Sequence, residues 1–173
     1  MVKATSISLV LLLAGCAASE VSKSPVVPVS LSVPSDQVLA TEAIATGVQI
    51  YTCSTTDSGK FEWVFKGPEA DLYDRNGRRI GKHYAGPTWE GVDGSKVVGE
   101  VKQRDNAPDQ NAIPWLLLSA KNHAGQGVFA GVQSIQRVNT AAGKAPSQNC
   151  DQEQLGKVAR MDYRATYYFY QTR

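Results

Sequence analysis

The sequence has no apolar run long enough to read as a membrane-spanning helix. Its most apolar stretch, Ser6 to Leu13, has eight residues, against roughly 20 needed to cross a hydrocarbon core of about 30 Å. Charge of one sign is not in excess either. Lysine plus arginine number 18 and aspartate plus glutamate 16, and without Lys3 the balance is +1. The isoelectric point of 8.4 therefore marks no basic patch, and nucleic acid is not expected as a partner. No run of like charges and no fixed-period repeat appears. Histidine is scarce: His83 and His123 are the two present. There is no HExxH and no second histidine at metal-ligand spacing, so neither a metal nor another cofactor is expected. Helix signals are few, and the absences together leave a β protein without an evident catalytic signature.

The front of the chain, MVKATSISLVLLLAGC, reads as an export signal: Lys3 gives the basic n-region, Ser6 to Leu13 the apolar core, and small residues follow. Its end, Leu13-Ala14-Gly15-Cys16, resembles the lipobox of bacterial lipoproteins. That resemblance implies a signal peptide over 1–15, cleavage before Cys16, and acyl chains on its sulfur and on the new N-terminus. Two or three such chains anchor stably, since each buried CH₂ contributes about 0.8 kcal/mol. Ala17, not Asp, stands next, which resembles outer-membrane sorting. The expected location is the bacterial envelope, on the outer membrane facing the periplasm. Residues 16–36, rich in Ala, Ser, Val and Pro, read as the lipidated cysteine and a flexible tether, with Val29–Val33 as a possible edge strand between prolines 28 and 34. Cys53 and Cys150 remain, an even pair in an oxidising compartment, and are expected as a disulfide. A catalytic thiol is the alternative, but neither cysteine has a histidine nearby in sequence.

Roughly 157 residues follow Cys16, enough for one domain with a real core, placed at 37–173. Period-two alternation runs through GVQIYTC (47–53), FEWVFK (61–66), SKVVGEVKQ (95–103) and DYRATYYFYQ (162–171). Asn76-Gly77 divides ADLYDRNGRRIG into hairpin arms. IPWLLLSA (113–120) is continuously apolar and predicts a strand buried on both faces; QGVFAGVQSIQRV (126–138) predicts one long strand bent at Gly127 and Gly131. QVLATEAIAT (37–46) is read as extended, and 151–160 as room for one helical turn. Seven to ten short strands predict an all-β, single-domain antiparallel β-sandwich or small β-barrel with little helix.

Several strings in fixed order carry a wider resemblance: GVQIYTC; PEADLYDRNGRRIGKHYAGPTWE with VDGSKVVG; IPWLLLSAKNHAGQGVF; IQRVNTAAGKAP with Cys150; and YRATYYFY. Together, over roughly 40–170, they resemble the family catalogued as domain of unknown function 3455, found in bacterial exported lipoproteins and secreted fungal proteins. The resemblance implies an exported, mostly β domain with Cys53 paired to Cys150. It implies no activity and brings no catalytic residues.

Five features are candidates for chemistry. In GKHYAGPTWEGVDGS (81–95), His83 and Glu90, with Asp93, could act as base and acid or share a ligand. Seven apart on one strand they would face opposite sides, and they converge only if Gly86-Pro87 turns the chain to bring them together. The structural alternative makes His83 and Tyr84 the end of a hairpin arm, Trp89 a core anchor, and Asp93-Gly94-Ser95 a turn; a ligand or partner surface would comprise His83, Tyr84, Trp89, Glu90 and Asp93. Second, Ser119, Lys121 and His123 alternate and could share a strand face as a nucleophile and base, although no Gly-x-Ser-x-Gly elbow surrounds Ser119. Third, Asp105, Asn106, Asp109 and Asn111 offer oxygen ligands, but without EF-hand spacing they read as a solvated loop. Fourth, the tyrosine-rich tail 162–170 reads as core on one face and a tyrosine girdle on the other, with a glycan-stacking platform as the functional alternative. Fifth, Trp89 and Trp115 read as core pins and Trp63 as part of a half-buried strand.

The leading expectation is a lipid-anchored, non-enzymatic envelope protein that binds an envelope protein, a glycan or a small ligand, its membrane contact made through Cys16. A periplasmic hydrolase using His83 and Glu90 is the alternative. A third is a lysozyme inhibitor, since small β-barrel lipoproteins with a YxC strand do that work and Tyr51-Thr52-Cys53 is similar to them.

Overall fold

The computed structural model describes residues 23–173. Eight antiparallel strands follow one another in sequence order and close into a barrel: β1 (Gln37–Thr55), β2 (Phe61–Tyr73), β3 (Arg79–Tyr84), β4 (Thr88–Gly91), β5 (Lys96–Asp105), β6 (Trp115–Ala124), β7 (Ser134–Ala142) and β8 (Val158–Thr172). Of the two expected all-β forms, the barrel is the one adopted. The strands are not uniformly short: β1 has 19 residues and β8 has 15. Their length lets β1 pair with β2 on one side and β8 on the other, from Gln37↔Thr172 to Thr52↔Val158, so the first and last strands form the closing seam. Up-and-down closure of this kind removes both sheet edges.

An eight-stranded barrel has an interior that side chains alone can fill. Here Trp89, Phe129, Ile135, Tyr163, Tyr167, Phe169, Leu72 and Val97 fill it, each 2 % exposed or less. The rings form a column: Phe129 lies tilted 4.8 Å from Phe169, Phe169 lies edge-on 5.9 Å from Trp89, and Trp89 lies edge-on 5.3 Å from Tyr167. Gly99 leaves room for the indole, because a Cβ there would sit 2.9 Å from the Trp89 ring.

Both barrel ends are covered. At one, residues 125–133 form a plug in place of the first half of the expected strand 126–138; β7 begins only at Ser134. The cause is local. Asp93 accepts the Val128 N–H at 2.8 Å and the Ser95 hydroxyl accepts that of Phe129 at 3.1 Å, so backbone groups a ladder would use are already bonded. Phe129 and Val132, both fully buried, point into the barrel. At the other end, 106–114 and 143–157 form a lid. The Ile113 N–H bonds to Ala142, and the Cys53–Cys150 disulfide ties the lid to the end of β1.

Four further expectations differ from the structure. Val29–Leu31 forms a 3₁₀ turn between extended segments rather than an edge strand, its proline-flanked backbone bonding locally. Leu31 is fully buried, and Gln136 on β7 donates to its carbonyl at 2.6 Å, so this part of the expected tether lies on the barrel wall. With Val27 and Val33 it covers outward-facing Val138, Tyr168 and Tyr170. Residues 152–156 are turns without a helix, and β6 is not buried throughout: Leu116 and Leu118 are buried while Trp115 and Leu117 are partly so, the inside–outside alternation of a barrel wall.

Candidate functional site

The turn at Gly86-Pro87 does not bring His83 and Glu90 together. It sets the register Tyr84↔Thr88, His83↔Trp89 and Lys82↔Glu90, and directly opposed residues share a face. His83 and Trp89 point inward; Lys82 and Glu90 point outward. Glu90 is held there by the Tyr84 hydroxyl, which donates at 2.7 Å, and by Lys96 and Lys82 at 3.2 and 3.6 Å. The Tyr84 hydrogen bond, followed by the lysines, holds the carboxyl below its ordinary pKa.

His83 is 3 % exposed. Its ring stacks on Trp89 with centroids 4.4 Å apart and planes at 12°, and meets Tyr167 edge-on at 5.0 Å. Nδ1 lies 2.8 Å from the Thr88 carbonyl. A carbonyl only accepts, so Nδ1 carries the proton. Burial pushes the imidazole pKa from 6.5 to about 3, more than the Thr88 carbonyl restores, and the nearby Arg137 charge acts in the same direction as burial. The ring is a neutral, fixed donor in the barrel wall.

Asp93 belongs to the plug. Ser95 donates to it through its hydroxyl at 2.6 Å and its N–H at 3.0 Å. These bonds and that from Val128 keep the carboxyl below its ordinary pKa, the Ser95 hydroxyl contributing most. The Asp-Gly-Ser turn is thus also a clasp.

A β-bulge separates the second candidate set. β6 pairs Ala120 with Gly99 and Asn122 with Val98, so Lys121 is the extra residue. Ser119 lies opposite exposed Glu100, and His123 opposite buried Val97, on the other face. His123 Nε2 is 2.6 Å from the Val132 carbonyl and helps seat the plug. Asp105 accepts from Ser30 and Asn106, and Asp109 from Asn111. Among the described residues no group of three or more His, Cys, Asp or Glu could hold a metal ion. The tail tyrosines form no exposed platform: Tyr163 and Tyr167 face inward, while Tyr168 and Tyr170 lie under the 23–36 segment. The Tyr51 hydroxyl donates to Gly143 in the lid at 2.8 Å. Trp63 donates to Gln148 at 3.0 Å. Cys16 lies outside the described residues.

The cluster the sequence reading missed sits beneath the lid. Arg137 on β7 donates through Nε and Nη2 to the Pro114 carbonyl, at 3.2 and 2.8 Å. Its charge is felt by Tyr51, His83, Tyr163 and Tyr167. Tyr163 neighbours Tyr167 and Gln49, and Tyr167 neighbours Arg137. Yet the Tyr163 and Tyr167 hydroxyls, Gln49 Nε2 and Trp89 Nε1 are buried without a hydrogen-bond partner at normal distance. Burial raises both phenol pKa values, so each keeps its proton. Orphaned buried polar groups are uncommon and costly, and four inward-facing ones are concentrated here. One sequence signal could have found Arg137: it lies in phase with Ile135 on an alternating strand, a cation where an inward residue belongs.

No curated protein and no solved structure matches the chain. A family model does match, over residues 34–171, from just before β1 to within one residue of the end of β8, and on that match the chain belongs to the family described as Protein of unknown function (DUF3455).

Proposed function

We propose that this protein is an exported, lipid-anchored binding barrel, held to the envelope through Cys16, which takes up a small ligand beneath its lid without transforming it. One observation carries the binding reading: donor groups of Gln49, Tyr163 and Tyr167 are buried beside one another and Arg137 with no hydrogen-bond partner at normal distance. Buried polar groups are ordinarily satisfied, so donors gathered at one place suit a molecule rich in acceptors. Besides the disulfide and backbone bonds, the lid above them is held by side-chain bonds to its carbonyls, from Arg137 to Pro114, Tyr51 to Gly143 and Thr140 to Ile113. The lipobox string supports the anchor. The opposed faces of His83 and Glu90 give the hydrolase alternative no support, and the engaged Tyr51 hydroxyl gives none to a lysozyme inhibitor.

The test is native mass spectrometry of the full chain, purified in detergent and incubated with a small-molecule cell extract. A bound mass recovered unchanged supports the reading. Conversion of that mass with time would point to an enzyme, and no bound mass would remove the binding claim. Labelled palmitate should enter the wild type and not Cys16→Ala; labelling that persists in the variant would reject the anchor.

A further inference from the structure

The geometry points to a compact carboxylate as the ligand of the under-lid cluster, gripped by Arg137 and by the hydroxyls of Tyr163 and Tyr167. This deepens the binding reading and rests on it. Charge is the first argument. A guanidinium stays protonated at any ordinary pH. Arg137 is half-buried, and among the described residues it takes part in none of the seven salt bridges, so no carboxylate lies within reach to balance it. The other groups named around it (His83, Gln49, Tyr51, Tyr163, Tyr167) carry no negative charge. The cluster therefore holds one net positive charge, and a monoanion would neutralise it.

Donor geometry is the second argument. Nε and one Nη2 hydrogen of Arg137 are engaged by Pro114. The Tyr167 hydroxyl lies beside the Arg137 guanidinium, and the two parallel N–H groups of its Nη1–Nη2 edge match the two oxygens of a carboxylate. The buried phenols, each able to donate one hydrogen bond, and the Gln49 amide nitrogen add further donors. A cationic ligand would find the wrong charge here.

Space is the third. Lid and cluster are close-packed: a Cβ at Gly143 would stand 2.7 Å from Tyr163 Cβ and 3.2 Å from Gln49 Cγ. The ligand is accordingly small, and the lid parts to admit it. A groove of about 460 Å³ on the outer wall, lined by Gly47, Val48, Ala141, Ala142 and Tyr163 among others, approaches the same tyrosine. There β7 and β8 lose register between Val138 and Ala141.

The probe is sodium acetate, titrated into the full chain in detergent against sodium chloride at equal ionic strength. The melting midpoint should rise saturably with acetate over the chloride control, since a ligand that binds only the folded state stabilises it. Arg137→Gln should abolish the rise, and Tyr167→Phe should weaken apparent affinity by about tenfold, the effect of one hydrogen bond to a charged group. An equal rise in Arg137→Gln, or none over chloride in the wild type, overturns the assignment. Should Arg137→Gln not fold, the paired substitution Tyr163→Phe with Tyr167→Phe decides, because it removes only the hydroxyls; unchanged acetate affinity there overturns the proposal. An uncharged ligand found by native mass spectrometry, with acetate inert, would sink the carboxylate and leave the binding reading standing.

Discussion

At the residue scale, His83 shows how burial decides what a titratable group does. The same imidazole that suggests base chemistry in the sequence is held between Trp89 and Tyr167 and bonded to Thr88. Its pKa of about 3 against an ordinary 6.5 has a thermodynamic consequence. Below pH 6.5 the unfolded chain takes up a proton that the folded one refuses. Stability from this group is therefore complete above pH 6.5 and is lost as pH falls toward about 3. The slope is about 1.4 kcal/mol per pH unit once the unfolded histidine is fully protonated. Asp74, Glu90, Asp93 and Glu100 have lowered carboxyl pKa values. Their contribution is lost only as pH falls below the carboxylate range. Urea denaturation between about pH 6.5 and pH 5 thus isolates His83: wild-type stability should decline with acid, and His83→Gln, less stable overall, should show a flatter profile. Parallel profiles would mean that the imidazole takes its proton in the folded state. Sequence alone made Trp89 legible as a core anchor. It left the faces of His83 and Glu90 open, since those depend on the three residues between β3 and β4.

At the scale of elements, most strands were legible because a barrel wall imposes the alternation of inside and outside that strands display in sequence. Two of the misread elements are bonded by something distant. Residues 125–133 have strand-like composition, but Asp93 and Ser95, about 35 residues earlier, bond their N–H groups and make them a plug. Residues 29–33 alternate like a strand, but Val29–Leu31 closes a 3₁₀ turn through local bonds, and Gln136, 105 residues later, bonds the Leu31 carbonyl. Arg137 escaped notice for a related reason. Inward and outward residues on β7 are both buried, one set in the barrel and the other under the 23–36 segment, which hides the phase. The lid is the element most open to experiment. Its covalent tie spans 97 residues of sequence, and removing a native disulfide of this kind costs about 2–5 kcal/mol. Replacing Cys53 and Cys150 together by alanine should lower the denaturant midpoint accordingly. Amide exchange should quicken most at Ile113 and Gly143, before the barrel wall responds. Uniform quickening over all strands would show that the lid and barrel open as one unit.

At the scale of the whole molecule, the barrel closes only when its last strand is present. β8 pairs along β1 from Val158 to Thr172 and along β7 from Tyr163 to Tyr170. It also supplies Tyr163, Tyr167 and Phe169 to the core. The seam therefore joins residues more than 100 apart in sequence, a topology whose closure cost falls early and whose reward comes late. A chain ending after Asp162 would lack most of β8. It would leave facing edges of β1 and β7 unpaired and their apolar inner surface open, conditions that favour edge-to-edge association. Such a chain should appear in the insoluble fraction and show no cooperative thermal transition. A chain ending after Gln171 loses only Thr172 and Arg173, keeps the pairs from Val38↔Gln171 onward, and should melt within a few degrees of the full protein. These two truncations separate barrel closure from mere chain length: a soluble, cooperatively melting 1–162 chain would show that seven strands suffice. Within β8, Tyr167 ties the seam to the far wall. Its ring meets both His83 on β3 and Trp89 on β4 across the interior, so deleting it removes a contact that the sheet's hydrogen bonds cannot replace.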